Sequence, residues 1–86
     1  FGQPIASFQG ISFKLADIPA AMAKVQKKYS DGKQDFLDGL TVEYETWWFN
    51  VRPSNTEPLL KLTIEAYTQE LLEEKKYELT AFLAGV

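Results

Sequence analysis

Trp47-Trp48-Phe49-Asn50-Val51-Arg52-Pro53-Ser54-Asn55-Thr56-Glu57-Pro58 decides how the rest of the chain is read. Its first half alternates. Trp47, Phe49 and Val51 fall on one face of an extended segment, and Trp48, Asn50 and Arg52 on the other. Its second half is a short polar loop between two prolines, which fix φ at the loop ends. Arg52 precedes Pro53 and is biased to extended backbone, so the strand runs straight into the loop.

The alternation recurs on both sides. Upstream, Leu40, Val42 and Tyr44 alternate with Thr41, Glu43 and Glu45, behind Asp38-Gly39, a strong hairpin-turn dipeptide. Residues 34–37 read as a short strand before that turn, and Glu45-Thr46 must join the next strand to Trp47. Downstream, Leu60, Leu62 and Ile64 alternate with Lys61, Thr63 and Glu65. Strands joined in series by short turns predict an antiparallel sheet.

Helical spacing flanks this block. Ile18, Met22, Val25 and Tyr29 lie on one face of a helix, with Asp17 as N-cap and Pro19 in the first turn. Lys24, Lys27 and Lys28 make its solvated sides, and Ser30-Asp31-Gly32 ends it, with Gly32 expected in a left-handed conformation. Thr68 caps a last helix whose apolar stripe is Leu72, Leu79 and Leu83, with Phe82 beside it. Glu73 and Lys76 can pair across one turn of it. Gly10 introduces a strand over residues 11–15, where Ile11, Phe13 and Leu15 alternate with polar residues. Residues 1–9 show no period and read as a linker or the remnant of a preceding domain, leaving 10–86 as one domain. The order β-α-β-β-β-β-α predicts an α+β fold: an antiparallel sheet of four or five strands with two helices on one face. Its expected core is Phe13, Met22, Val25, Val42, Trp47, Phe49, Val51, Leu62, Ile64 and Leu79, with Trp48 on the uncovered face.

Composition bounds the function. Eighty-six residues suffice for one small core. There is no cysteine, hence no disulfide or thiolate chemistry, and no histidine, the commonest general base and transition-metal ligand. A net charge of −3 argues against a nucleic-acid surface, which needs a basic stripe. No apolar run reaches the length of a membrane span. The chain starts at Phe1, not methionine, and is expected to be a piece of something longer.

Arg52 is the only arginine; the other basic residues are lysines. Its planar fork of donors matches the oxygens of a phosphate or carboxylate. Ser54 and Thr56 add hydroxyl donors and Asn55 an amide, and consecutive backbone N–H groups in a tight turn can cradle an anion. Glu57 would oppose an anion unless it turns away or braces Arg52. The residues leave a second reading open: Ser, Asn and Pro make ordinary turns, and a strand-end arginine often pairs with a carboxylate.

Arg-Pro-Ser-Asn-Thr-Glu-Pro at 52–58 resembles the phosphate-binding loop in the last domain of the phosphohexomutases. The Asp38-Gly39-Leu40 hairpin, the run ending Ile64-Glu65-Ala66 and the closing helix follow in that domain's order, so the resemblance spans residues 10–84. Asparagine at 55, in place of glycine, resembles the phosphomannomutase/phosphoglucomutase branch and not the phosphoglucosamine mutases. The turn at Glu45-Thr46 departs from the family, which commonly has a glycine there.

The resemblance implies a fold like that of the TATA-binding protein and a cytoplasmic parent enzyme. It also implies that the parent interconverts hexose 1-phosphate and hexose 6-phosphate, with a phosphoserine, Mg²⁺ and a hexose 1,6-bisphosphate that turns round in the site. In such a parent, Arg52, Ser54, Asn55 and Thr56 would bind the phosphate that is not reacting, and the partners would be phosphosugars and the preceding domains. The chain has no serine loop or Asp-Gly-Asp cluster, so alone it is expected to be non-catalytic, with no metal or cofactor of its own. Asp31, Asp35 and Asp38 read as solvated turn residues. Two other classes of function stay open: an interaction module using the uncovered sheet face and Trp48, and, against the acidic balance, a single-strand nucleic-acid binder.

Overall fold

In a computed structural model, the described residues are 6–14, 16–54 and 56–85. Five strands and two helices follow in the expected order: β1 (Ala6–Lys14), α1 (Ile18–Lys28), β2 (Lys33–Asp35), β3 (Leu40–Glu43), β4 (Trp47–Pro53), β5 (Leu59–Ala66) and α2 (Gln69–Ala84). The strands form one sheet in the order β1-β5-β4-β3-β2, with each neighbouring pair antiparallel. The last strand in sequence thus inserts between β1 and β4. This makes the Arg52 loop, which joins β4 to β5, an end of the two central strands.

Period-2 patterning decides which face is covered. Trp47, Phe49 and Val51 of β4 are buried, as are Leu60, Leu62 and Ile64 of β5 and Leu40 and Val42 of β3. Val25 of α1 and Leu72, Leu79 and Leu83 of α2 join them in a single core, so both helices lie on one face of the sheet. Phe13 and Met22, expected inside, are only partly buried and pack against this core from its edge. Trp48, Asn50 and Arg52 project from the opposite face, which neither α1 nor α2 covers. Both helix starts follow their caps. The Asp17 carboxylate accepts from the Ala20 N–H at 3.1 Å, and the Thr68 hydroxyl accepts from the Leu71 N–H at 3.1 Å.

Three local expectations are corrected. The first strand does not wait for Gly10 but begins at Ala6, so it takes in residues 6–9, which had read as linker. A bulge between Gln9 and Ile11 explains the missed pattern: Ala6 and Phe8 pack on the core before it, and Phe13 after it. The extra residue shifts the apolar positions from even to odd numbers. Leu15, expected at the end of that strand, lies outside the described residues. Second, Gly32 is not left-handed; among the described residues Gly39 alone has a positive φ, +72°. Gly32 is needed for space, because a Cβ there would collide with the Val42 side chain and come within 2.8 Å of the Tyr44 ring. Third, the short strand ends at Asp35, two residues early, because the Asp35 carboxylate accepts from the Leu37 N–H at 2.8 Å and starts the turn.

The Glu45-Thr46 turn closes on a Tyr44 N–H to Trp47 carbonyl bond of 2.8 Å. Neither residue has a positive φ, so the turn is not one of the primed types that favour glycine. The Thr46 carbonyl accepts from the Tyr67 N–H at 3.0 Å, which ties this turn to the end of β5.

Candidate phosphate site

The β4–β5 loop is closed from within. The Ser54 N–H donates to the Leu59 carbonyl at 2.8 Å, and the Leu59 N–H to the Glu57 carbonyl at 2.7 Å. The Thr56 N–H donates to Ser54 Oγ at 3.4 Å. Of the N–H groups that could cradle an anion, the Ser54 N–H is already taken by the hairpin itself. The hairpin needs a closing bond where its strands part, and the Ser54 N–H supplies it. The Ser54 hydroxyl accepts from Thr56, which leaves its own proton free to donate to an anion. Thr56 is exposed and Ser54 half-buried. Asn55, the fourth expected ligand, lies outside the described residues.

Arg52 stands at the loop mouth with its side chain 53% exposed, and it faces Lys61 directly in the β4–β5 register. Both cations, with Ser54, Pro53, Asp38 and Gly39, line one depression of about 390 Å³. The carboxylate that braces Arg52 is Asp38, with Nη1 to Oδ2 at 3.6 Å, and not Glu57. Asp38 is held by its own backbone: Asn50 Nδ2 donates to the Asp38 carbonyl at 2.7 Å and to Thr41 Oγ1 at 3.0 Å. The next residue explains the strong turn signal. A Cβ at Gly39 would lie 2.5 Å from the Val51 carbonyl and 2.7 Å from Arg52 Cβ, so only glycine lets the β2–β3 turn press against the arginine's own backbone.

Sequence reasoning placed Arg52, Ser54 and Thr56 here but missed Asp38 and Lys61. Lys61 comes opposite Arg52 only through the β4–β5 register, in which Pro53 faces Leu60 and the Ser54 N–H closes on Leu59. Asp38 sits in a turn read only as a turn. Its neighbours Phe36 and Leu37, 59% and 93% exposed, give the same turn an apolar tip.

These residues do not fit a Mg²⁺ ion. Among the described residues no group of three or more carboxylates is gathered for a metal. Of the turn aspartates, Asp31 accepts from the Tyr44 hydroxyl, Asp35 accepts from the Leu37 N–H and Asp38 pairs with Arg52. Nor, among the described residues, is any helix long and apolar enough to cross a membrane.

The site is thus a depression holding two cations and one carboxylate, at one end of the central strands of an antiparallel sheet backed by two helices. The family model for the phosphoglucomutase/phosphomannomutase C-terminal domain matches residues 11–81, and the chain belongs to that family. It is 39% identical over 74 residues to a phosphomannomutase of Methanocaldococcus jannaschii, covering 86% of this chain and 16% of that protein. It is 41% identical over 78 residues to a protein of Xanthomonas campestris named phosphohexose mutases, covering 87% and 17%. A probable phosphoglucosamine mutase of Pyrococcus horikoshii is 35% identical over 60 residues, covering 70% and 12%. The chain therefore spans about a sixth of the length of the first two relatives.

Proposed function

We propose that this chain is the substrate-phosphate wall of a cytoplasmic phosphohexomutase of the phosphomannomutase/phosphoglucomutase branch. Arg52, Ser54, Asn55 and Thr56 bind the phosphate of a hexose phosphate that is not reacting, and Lys61 adds a second positive charge. One observation carries the reading: Arg52 and Lys61, paired across two strands, open with Ser54 into a single depression at the loop that bears the family motif. Two like charges side by side on neighbouring strands oppose folding, and a bound dianion relieves that repulsion. The nucleophile and Mg²⁺ belong to the rest of a longer protein, so this chain alone does not turn over substrate.

The free chain binds inorganic phosphate weakly. Charge-assisted bonds contribute about 1.5–3 kcal/mol each. With ordering costs and no enclosing walls, the affinity is of roughly millimolar order. Titration followed by amide NMR is expected to move Ser54, Thr56 and Glu57 most. Largest shifts at Lys27 and Lys28 would reject the loop. No loop response at all would leave the uncovered sheet face, as an interaction surface, the better account.

A further inference from the structure

We propose that Asp38 makes this site selective for phosphate carried on a polyol, by accepting a hydrogen bond from a hydroxyl near the phosphate-bearing carbon. The inference rests on the phosphate site proposed above. A carboxylate in an anion site works against the anion, yet the fold fixes this one in place. Asn50 holds its carbonyl at 2.7 Å, and Gly39 beside it, at φ +72°, has no room for a side chain against Val51 and Arg52. The carboxylate itself is 76% exposed, and its contact with Arg52 is a loose 3.6 Å.

Asp38 and Arg52 also line a second depression, of about 320 Å³, on the uncovered sheet face, together with Thr41, Trp48, Asn50 and Thr63. Asp38 therefore stands at the junction of a cationic pocket and a polar groove. An ionised carboxylate only accepts. The part of the ligand that lies beside the phosphate must then present donors, and a ring bearing hydroxyls one or two bonds from its phosphate does so. Trp48, half-buried and four residues back along β4, gives the same groove an apolar wall for the C–H face of such a ring.

The test compares two monoesters of equal charge, methyl phosphate and glucose 1-phosphate, by NMR titration of this chain at Ser54 and Thr56. The unsubstituted chain is expected to favour glucose 1-phosphate by about threefold or more, the low end of the scale of one ordinary net hydrogen bond, since water weakens a bond to so exposed a carboxylate. In Asp38→Ala, methyl phosphate should bind as well or better, because a negative charge has gone. The preference for glucose 1-phosphate should fall towards one. Asp38→Asn keeps the turn chemistry and a weaker acceptor; it should show a smaller loss of preference and serves if the alanine variant unfolds. If both ligands tighten or weaken together in these variants, Asp38 acts only through charge or through Arg52, and the inference is overturned. If neither ligand moves the loop of the unsubstituted chain, the phosphate site falls and this inference with it.

Discussion

The two ends of β4 use the same kinds of residue to opposite effect. At the Trp47 end lies a depression of about 380 Å³ lined by Lys28, Tyr29, Asp31, Tyr44, Trp47, Lys75 and Glu78. Its charges and hydroxyls close on one another. The Tyr29 hydroxyl donates to Glu78 at 2.6 Å and the Tyr44 hydroxyl to Asp31 at 2.7 Å. Lys75 reaches Glu78 at 3.4 Å and lies 5.0 Å over the Trp47 ring, which stacks on Tyr44. At the Arg52 end two cations face each other across the strands, and the bracing carboxylate is exposed and 3.6 Å away. What separates the two ends is how far the chain has already satisfied its own groups. Charge and aromatic content alone would have nominated either end.

The largest effects should separate the two ends most sharply. Trp47 is buried, and Trp47→Ala is expected to cost about 3–5 kcal/mol in a urea melt. Loop shifts on adding phosphate should persist in the folded fraction. Arg52→Lys is expected to do the reverse. Stability should stay within about 0.5 kcal/mol, as for an exposed substitution. In the proposed full-length phosphohexomutase, losing the planar fork should cost roughly 1.5–3 kcal/mol of transition-state binding. That is a fall in kcat/KM of about ten- to a hundredfold. On the proposed role, in which the loop reads phosphate, the loss should be alike for mannose and glucose 1-phosphates; a loss confined to one sugar would show that Arg52 reads the ring.

A smaller effect concerns pH at the closed end. Burial raises the Tyr29 phenol well above its usual value, and the hydrogen bond to Glu78 and its charge raise it further. Burial raises Tyr44 in the same direction, with Asp31 adding to it. A phenol whose folded pKa exceeds its unfolded value holds its proton more tightly when folded. Its stabilisation is complete below about pH 10 and is lost as the pH climbs above that. Denaturant midpoints should therefore fall above pH 10. Tyr29→Phe should lose about 1 kcal/mol at neutral pH and flatten part of the alkaline slope. A slope identical in the variant and the parent chain would mean the cluster is not closed in solution.

The sheet was legible in the sequence because alternation marked each strand from Leu40 to Ala66, with Asp38-Gly39 and the Pro53–Pro58 loop punctuating two of the turns. The strand at Ala6–Gln9 was not, because the bulge after Gln9 breaks the period that reveals a strand. Gly32 was misread because a glycine after a helix signals a left-handed cap as readily as it signals crowding. Only the neighbouring Val42 and Tyr44 tell the two apart. The site divides the same way. Arg52 and Ser54 are contiguous and carry a motif. Lys61 and Asp38 come to them through strand pairing and through a turn pressed against the arginine, which are tertiary facts.

The smallest expected effect sharpens the comparison most directly: the coupling energies of one ion pair from each end. Exposed pairs contribute about 0.2–1 kcal/mol in double-mutant cycles. Lys75–Glu78 should sit near the top of that range, because its side chains are 21% and 37% exposed and Lys75 also lies over Trp47. Arg52–Asp38, at 53% and 76%, should sit near the bottom. In 1 M salt the Debye length shrinks to about 3 Å, so the exposed coupling should vanish while the more sheltered one only weakens. On the proposed phosphate contact with Arg52, saturating phosphate should change the Arg52–Asp38 coupling and leave Lys75–Glu78 untouched. An Arg52–Asp38 coupling as large as that of Lys75–Glu78, and indifferent to phosphate, would mean that Arg52 is already committed to its carboxylate. The two ends of β4 would then be alike, both closed on themselves, and the loop would lose its claim to an anion.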